Sequence, residues 1–180
     1  MVDVAHFSQA ILSWRTEPST NLDPRALSQD MYWIEYRLLL YPTTLQDGLE
    51  EWKIDKACRI GALLYMKALL EEFPHSATGP SILLKQLRES LQNITVLDSL
   101  SSLLVWLSVV GTAMSKSDMR VWFMGLLTEL TVNLRISSFR DHELEMSRVI
   151  GLEEVLGSSV EKLWVEATEA LRARVTFLQI

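Results

Sequence analysis

Only seven glycines and five prolines are spread over 180 residues. A many-stranded β fold needs a break roughly every 8–12 residues, so this chain lacks the turn material for one. Between its breaks, apolar residues recur at spacings of three and four. That is the period of helices that bury one face. The expected fold is all-α: a single domain over residues 1–180, with about seven or eight helices packed around one core.

The pattern places the elements. Val4, Phe7, Ile11 and Trp14 lie at helical spacing, and a polar stretch from Thr16 to Asp23 follows. Asp23-Pro24 opens a second helix, with an N-cap residue followed by proline at the first helical position. It is expected to run to about Leu40, with Leu27, Met31, Ile34 and Leu38 as its stripe and Tyr32, Trp33 and Tyr36 widening it. After the break at Asp47-Gly48, a long helix is expected from about Leu49 to Phe73, ended by Pro74. Ala57, Gly61, Leu64 and Ala68 form its stripe, and further apolar residues surround it, as in a helix buried on several sides. An amphipathic helix from Ser81 to about Ile94 turns Leu83, Leu84, Leu87 and Leu91 inward and Lys85, Arg88 and Glu89 to water. The stretch 99–115 is apolar and uncharged. Ser117-Asp118 is expected to cap a helix with Val121, Trp122, Leu126, Leu127 and Leu130 on one side. Helical patterns at 139–150 and about 158–177, joined through Gly151 and Gly157, complete the chain. Residues 132–136 read as a helix end.

Composition narrows the function classes. Seventeen basic against 23 acidic residues give a net charge of −6, and no basic run stands out. Such a chain lacks the counterion-release term behind nucleic-acid affinity, so no nucleic-acid partner is expected. The uncharged residues between Asp98 and Lys116 would span roughly 25 Å as a helix, short of the ~30 Å hydrocarbon core. No membrane partner is expected. Met1 to His6 has no basic region ahead of an apolar run, so an intracellular location is expected, in cytoplasm or nucleus. The single cysteine, Cys58, forbids an internal disulfide and a cysteine-based metal site.

No motif names a reaction, and no cofactor or metal site is expected. His142 lacks a second histidine four residues on, so a zinc-protease pattern fails. Asp141-His142-Glu143 reads as a solvated helix start with acids near the positive end of the dipole. His75 reads as a loop histidine. Cys58, inside an apolar helix, reads as a structural thiol. Six tryptophans and several tyrosines exceed what single buried faces require. If the helices surround one another, Tyr32, Trp33, Tyr36, Arg59, Tyr65, Trp106 and Trp122 are the residues expected to line a cavity for an apolar small molecule.

Two stretches have the order and spacing of a known family. Ala57-Cys58-Arg59-Ile60-Gly61-Ala62-Leu63-Leu64-Tyr65 leads into Phe73-Pro74 and an amphipathic leucine helix. Leu103-Leu104-Val105-Trp106-Leu107-Ser108-Val109-Val110-Gly111 precedes Arg120-Val121-Trp122-Phe123, and Leu163-Trp164-Val165 follows. Over about residues 50–166 this resembles the helical regulatory region of fungal binuclear zinc-cluster transcription factors. The family's six-cysteine DNA-binding element is missing. The resemblance therefore implies either a fragment of a larger regulator or a short protein that keeps the helical scaffold alone. Met1 and the lack of a truncated linker favour the second. No catalytic residue carries over.

Three readings follow. The first is a regulatory scaffold that binds an apolar small molecule or a partner protein. The second is a cofactor-free cyclase or isomerase of fungal secondary metabolism, acting by shape and hydrogen bonding in an aromatic pocket. The third is a dimerisation module, hence a homodimer. An enclosed aromatic pocket separates the first two from the third, which calls for a flat exposed apolar helix face. All three require the helix near 50–72 to be central. Leu64→Ala is accordingly expected to cost ~2–5 kcal/mol in denaturant unfolding. A loss under ~0.5 kcal/mol would place the residue at the surface.

Overall fold

The computed structural model describes residues 2–16, 23–40, 50–69, 80–92, 94, 100–156 and 158–177. The Asp47-Gly48 break, Phe73-Pro74, His75 and Gly157 lie outside them. The described residues form helices and no strand. The helices are α1 (Val2–Thr16), α2 (Pro24–Leu40), α3 (Glu50–Leu69), α4 (Pro80–Leu91), α5 (Ser101–Met114), α6 (Ser117–Asn133), α7 (Phe139–Ser147), α8 (Glu153–Leu156) and α9 (Ser158–Phe177). The expected seven or eight are present, and α8 is a single additional turn.

Two helices make the centre. In α3, every residue from Ile60 to Met66 is buried, and so is Leu69. In α5, every residue from Leu104 to Thr112 is buried. α5 touches α3, α4, α6, α7 and α9, so its lack of charge follows from having no solvent face. Its two fully buried hydroxyls are satisfied within the helix: Ser108 donates to the Leu104 carbonyl at 2.7 Å and Thr112 to the Ser108 carbonyl at 2.7 Å. Buried polar groups bonded in this way escape the desolvation cost of unpaired ones.

Close approach around α5 depends on two glycines. A Cβ at Gly61 of α3 would collide with the Leu107 side chain and reach the Trp106 ring. A Cβ at Gly111 would stand 2.5 Å from two ring carbons of Phe123, which is itself fully buried on α6.

Local signals set the helix ends. Asp23 accepts from the Arg25 amide at 2.9 Å, which confirms the cap and Pro24 as first helical residue. Ser138 and Asp141 form a reciprocal capping box at α7. The end of α6 is a Schellman turn. Ile136 donates to the Thr131 carbonyl and Arg135 to that of Val132, both at 3.0 Å, with Arg135 at φ 53°. The anticipated cap at Ser117 is different: Lys116 holds the cap position without a side-chain bond, and Ser117 is the first residue of the helix, with its backbone in the left-handed region at φ 51°.

Several faces differ from the expected ones. Val121 is exposed, and the neighbouring Phe123 occupies the core position. Arg88 does not face water alone: its guanidinium lies over the Trp122 ring, 5.3 Å from the centroid, and ties α4 to α6. Tyr32, Trp33 and Tyr36 do not widen the buried stripe of α2. At 100° per residue they fall on the arc opposite Ile34, away from α3.

Gly111→Ala is expected to lower stability: overpacking against the Phe123 ring costs ~1–3 kcal/mol, and the gain in helix propensity returns at most ~1 kcal/mol. Gly125→Ala, with nothing within 4 Å of the added methyl, is expected to raise it by ~0.5–1 kcal/mol. Thermal melting of the two variants checks both signs.

Candidate functional site

The seven residues expected to share a cavity fall into four places. Tyr65 and Trp106 are fully buried in the core, their rings 5.7 Å apart. Both have spent their polar tips. Tyr65 donates to the Gly151 carbonyl at 3.3 Å and is hydrogen-bonded to the Ser8 hydroxyl at 2.5 Å. Trp106 donates its indole N–H to the Ile150 carbonyl at 2.9 Å. The pair therefore clips the turn between α7 and α8 to the centre. Arg59 pairs with Asp55, one turn earlier on α3, at 3.3 Å. Trp122 is half-buried under Arg88 and packs edge-on against Phe123 at 4.9 Å.

Tyr32, Trp33 and Tyr36 stand together on the outside of α2, 66%, 59% and 54% exposed. Trp33 and Tyr36 stack on each other at 6.0 Å. Leu39 and Leu40 extend the same face and are equally open. Over the last nine residues of α2, this outer arc of about 120° holds aromatic and aliphatic side chains only. The charged neighbours sit on its flanks: Arg37 is paired with Asp3 of α1 at 2.6 Å, and Glu35 is half-buried. This exposed apolar stripe is the candidate interaction surface of the helix exterior.

A second feature had no sequence signal. A cleft of about 360 Å³ opens where α3, α5, α6, α8 and α9 converge. Lys67, Arg120 and Lys162 stand in its wall with Glu166, over apolar residues that include Ala68, Met114 and Leu163. These cations come from three helices far apart in the chain, so no motif joins them. None of the seven residues lines this cleft.

His142 overturns its expected role. It is fully buried, not part of a solvated helix start, stacked near Phe139 and 5.1 Å from the Trp164 ring. Neither ring nitrogen has a hydrogen-bond partner. Burial pushes its pKa down to about 4. The signal was present in the sequence: Phe139, His142 and Met146 form one inward stripe at spacings of three and four, while Asp141 caps the helix from the exposed side. The Cys58 thiol is pushed up to about 11, by burial and then by Asp55, as suits a structural thiol. Among the described residues, no three His, Cys, Asp or Glu side chains gather as metal ligands, and no helix is long and apolar enough to cross a membrane.

No protein-family model, curated protein or solved structure matches this chain.

The histidine links stability to pH. The folded pKa lies below the ordinary 6.5, so between pH 6.5 and about 4 the unfolded chain binds a proton that the folded one refuses. The stabilisation from keeping His142 neutral is complete above about pH 6.5 and is lost as pH falls. Between pH 7 and 5 the wild type is expected to lose about 2 kcal/mol through this residue. In His142→Phe that part of the slope disappears. Urea unfolding of both proteins at the two pH values measures the difference.

Proposed function

We propose that this chain is an association module, a helical scaffold that pairs with a second copy of itself through the outer face of α2. The observation that carries the reading is the uncharged stripe of Tyr32, Trp33, Tyr36, Leu39 and Leu40, each more than half exposed. A fully buried aromatic side chain removes about 150–250 Å² from water, so this stripe offers on the order of 500 Å² per protomer. Two copies together reach about 1,000 Å², the lower bound for a specific interface, which describes a weak, reversible dimer. The stripe has no charge with which to select an acidic or basic partner. A two-fold axis sets the same patch against itself, so aromatic rings meet aromatic rings and no charge is left buried.

The resemblance to the regulatory region of fungal zinc-cluster transcription factors accords with this role, as a scaffold that acts through contacts in place of a reaction. The alternative of a cofactor-free cyclase or isomerase calls for an enclosed aromatic cavity with polar groups to spare. Tyr65 and Trp106, its best-placed aromatics, instead give their donors to backbone carbonyls.

Sedimentation velocity over a concentration series checks the proposal. The wild type is expected to pass from monomer to dimer as concentration rises. Trp33→Glu is expected to weaken association by at least ~30-fold, the factor of a 2 kcal/mol hot spot, with an unchanged circular dichroism spectrum. A wild type that stays monomeric at submillimolar concentration would overturn the reading.

A further inference from the structure

The outer face of α2 continues past the aromatic stripe toward the helix N-terminus. Ala26, Gln29, Trp33, Tyr36 and Leu40 are all exposed, and they follow one another at spacings of three, four, three and four. That is the a/d repeat of a two-stranded coiled coil, held over two heptads without a charged residue. At 100° per residue this seam lies opposite Ile34, which faces the core. Charged residues flank it in a definite order. Arg25 and Asp30 are exposed on its two sides, at g and e positions, and Tyr32 and Arg37 take the same positions one heptad later. Arg37 pairs with Asp3, whereas Arg25 and Asp30 have no ion-pair partner among the described residues.

We propose that the second copy lies parallel to the first, the two seams face to face and Arg25 of each copy paired with Asp30 of the other. The inference rests on self-association through α2 and adds its direction. In a parallel pair, a g side chain meets the e side chain five residues further along the opposite helix. Arg25 therefore meets Asp30 and Tyr32 meets Arg37, and the two-fold axis makes each contact twice. The first is an ion pair and the second a cation beside a ring. Trp33, Tyr36 and Leu40 each meet their own counterpart, ring against ring and aliphatic against aliphatic. An antiparallel copy covers the stripe fully only when centred at Tyr36. It then sets Trp33 against Leu39 and carries Arg25 and Asp30 past Leu40, the last residue of the opposing α2. Both directions bury the same stripe, so the flanking charges decide between them.

Sedimentation velocity on charge-reversed variants tests the direction. Arg25→Glu and Asp30→Arg each set like charges against each other across the seam, and each is expected to weaken self-association about tenfold. An equimolar mixture of the two variants is expected to come within about threefold of the wild-type dissociation constant, because every reversed position then meets its opposite charge on the other chain. Both positions are exposed, so the circular dichroism spectrum is expected to stay unchanged. A second readout is covalent. With the single native cysteine removed by Cys58→Ser, Gln29→Cys is expected to cross-link to its own copy in oxidised glutathione. An antiparallel pair centred at Tyr36 would hold those two thiols about 21 Å apart along the helix axis, beyond disulfide reach. A wild type that dimerises while the mixture stays weak, or while Gln29→Cys fails to cross-link, would overturn the parallel arrangement and leave the α2 dimer standing. A wild type that stays monomeric would overturn both.

Discussion

The tilted ring pair of Tyr65 and Trp106 is the contact on which the remaining packing depends. It joins α3 to α5 at the centre, and Gly61 lets the two backbones come close enough for it to form. Each ring then reaches past the core to a backbone carbonyl, at Gly151 and Ile150. Those bonds fix the turn after α7, which in turn sets where α8 and α9 can lie. Ser8 adds α1 to the same cluster through the Tyr65 hydroxyl. A core of aliphatic side chains alone would bury as much area but would fix these directions less strictly, because dispersion and hydrophobic burial are non-directional.

Helix type and position were legible because periodicity is a local property. Pro24, the 3–4 spacing of Val4, Phe7 and Ile11, and the uncharged run of α5 each announce an element without reference to the rest of the chain. Orientation was less legible where a helix is apolar on two faces. In α2, Ile34 and Trp33 are equally apolar by composition, and only the position of α3 decides which of them is covered. His142 was misread for the related reason that its neighbours Asp141 and Glu143 are polar, although its partners along the helix are not. The cleft had no local trace: Lys67, Arg120 and Lys162 are ordinary helix-surface residues until three helix ends are brought together.

The molecule is thus built with a closed centre and two open features on different sides. Aromatic residues serve opposite purposes in them. Inside, Tyr65 and Trp106 are fixed by hydrogen bonds and offer nothing to a ligand. Outside, Tyr32, Trp33 and Tyr36 are rigid two-torsion side chains that lose little entropy when covered, which is what a weak self-pairing surface requires. The cleft differs from both in that charged side chains, Lys67, Arg120 and Lys162 with Glu166, stand in its wall. A scaffold of this kind can take on a ligand or a partner without altering its core, in keeping with the general separation of fold from function.

The uncharged face all round α5 has a consequence during synthesis. As the chain leaves the ribosome, α3 and α4 can cover part of this segment, but Phe123, its partner at Gly111, is made afterwards. Until α6 has emerged, the stretch from Leu104 to Val110 stands partly bare and has no charge to keep it from sticking to other nascent chains. The two-residue link of Ser115 and Lys116 limits that interval to the time needed to add one more helix. Lengthening the short α5–α6 connection would leave this uncharged segment bare for longer.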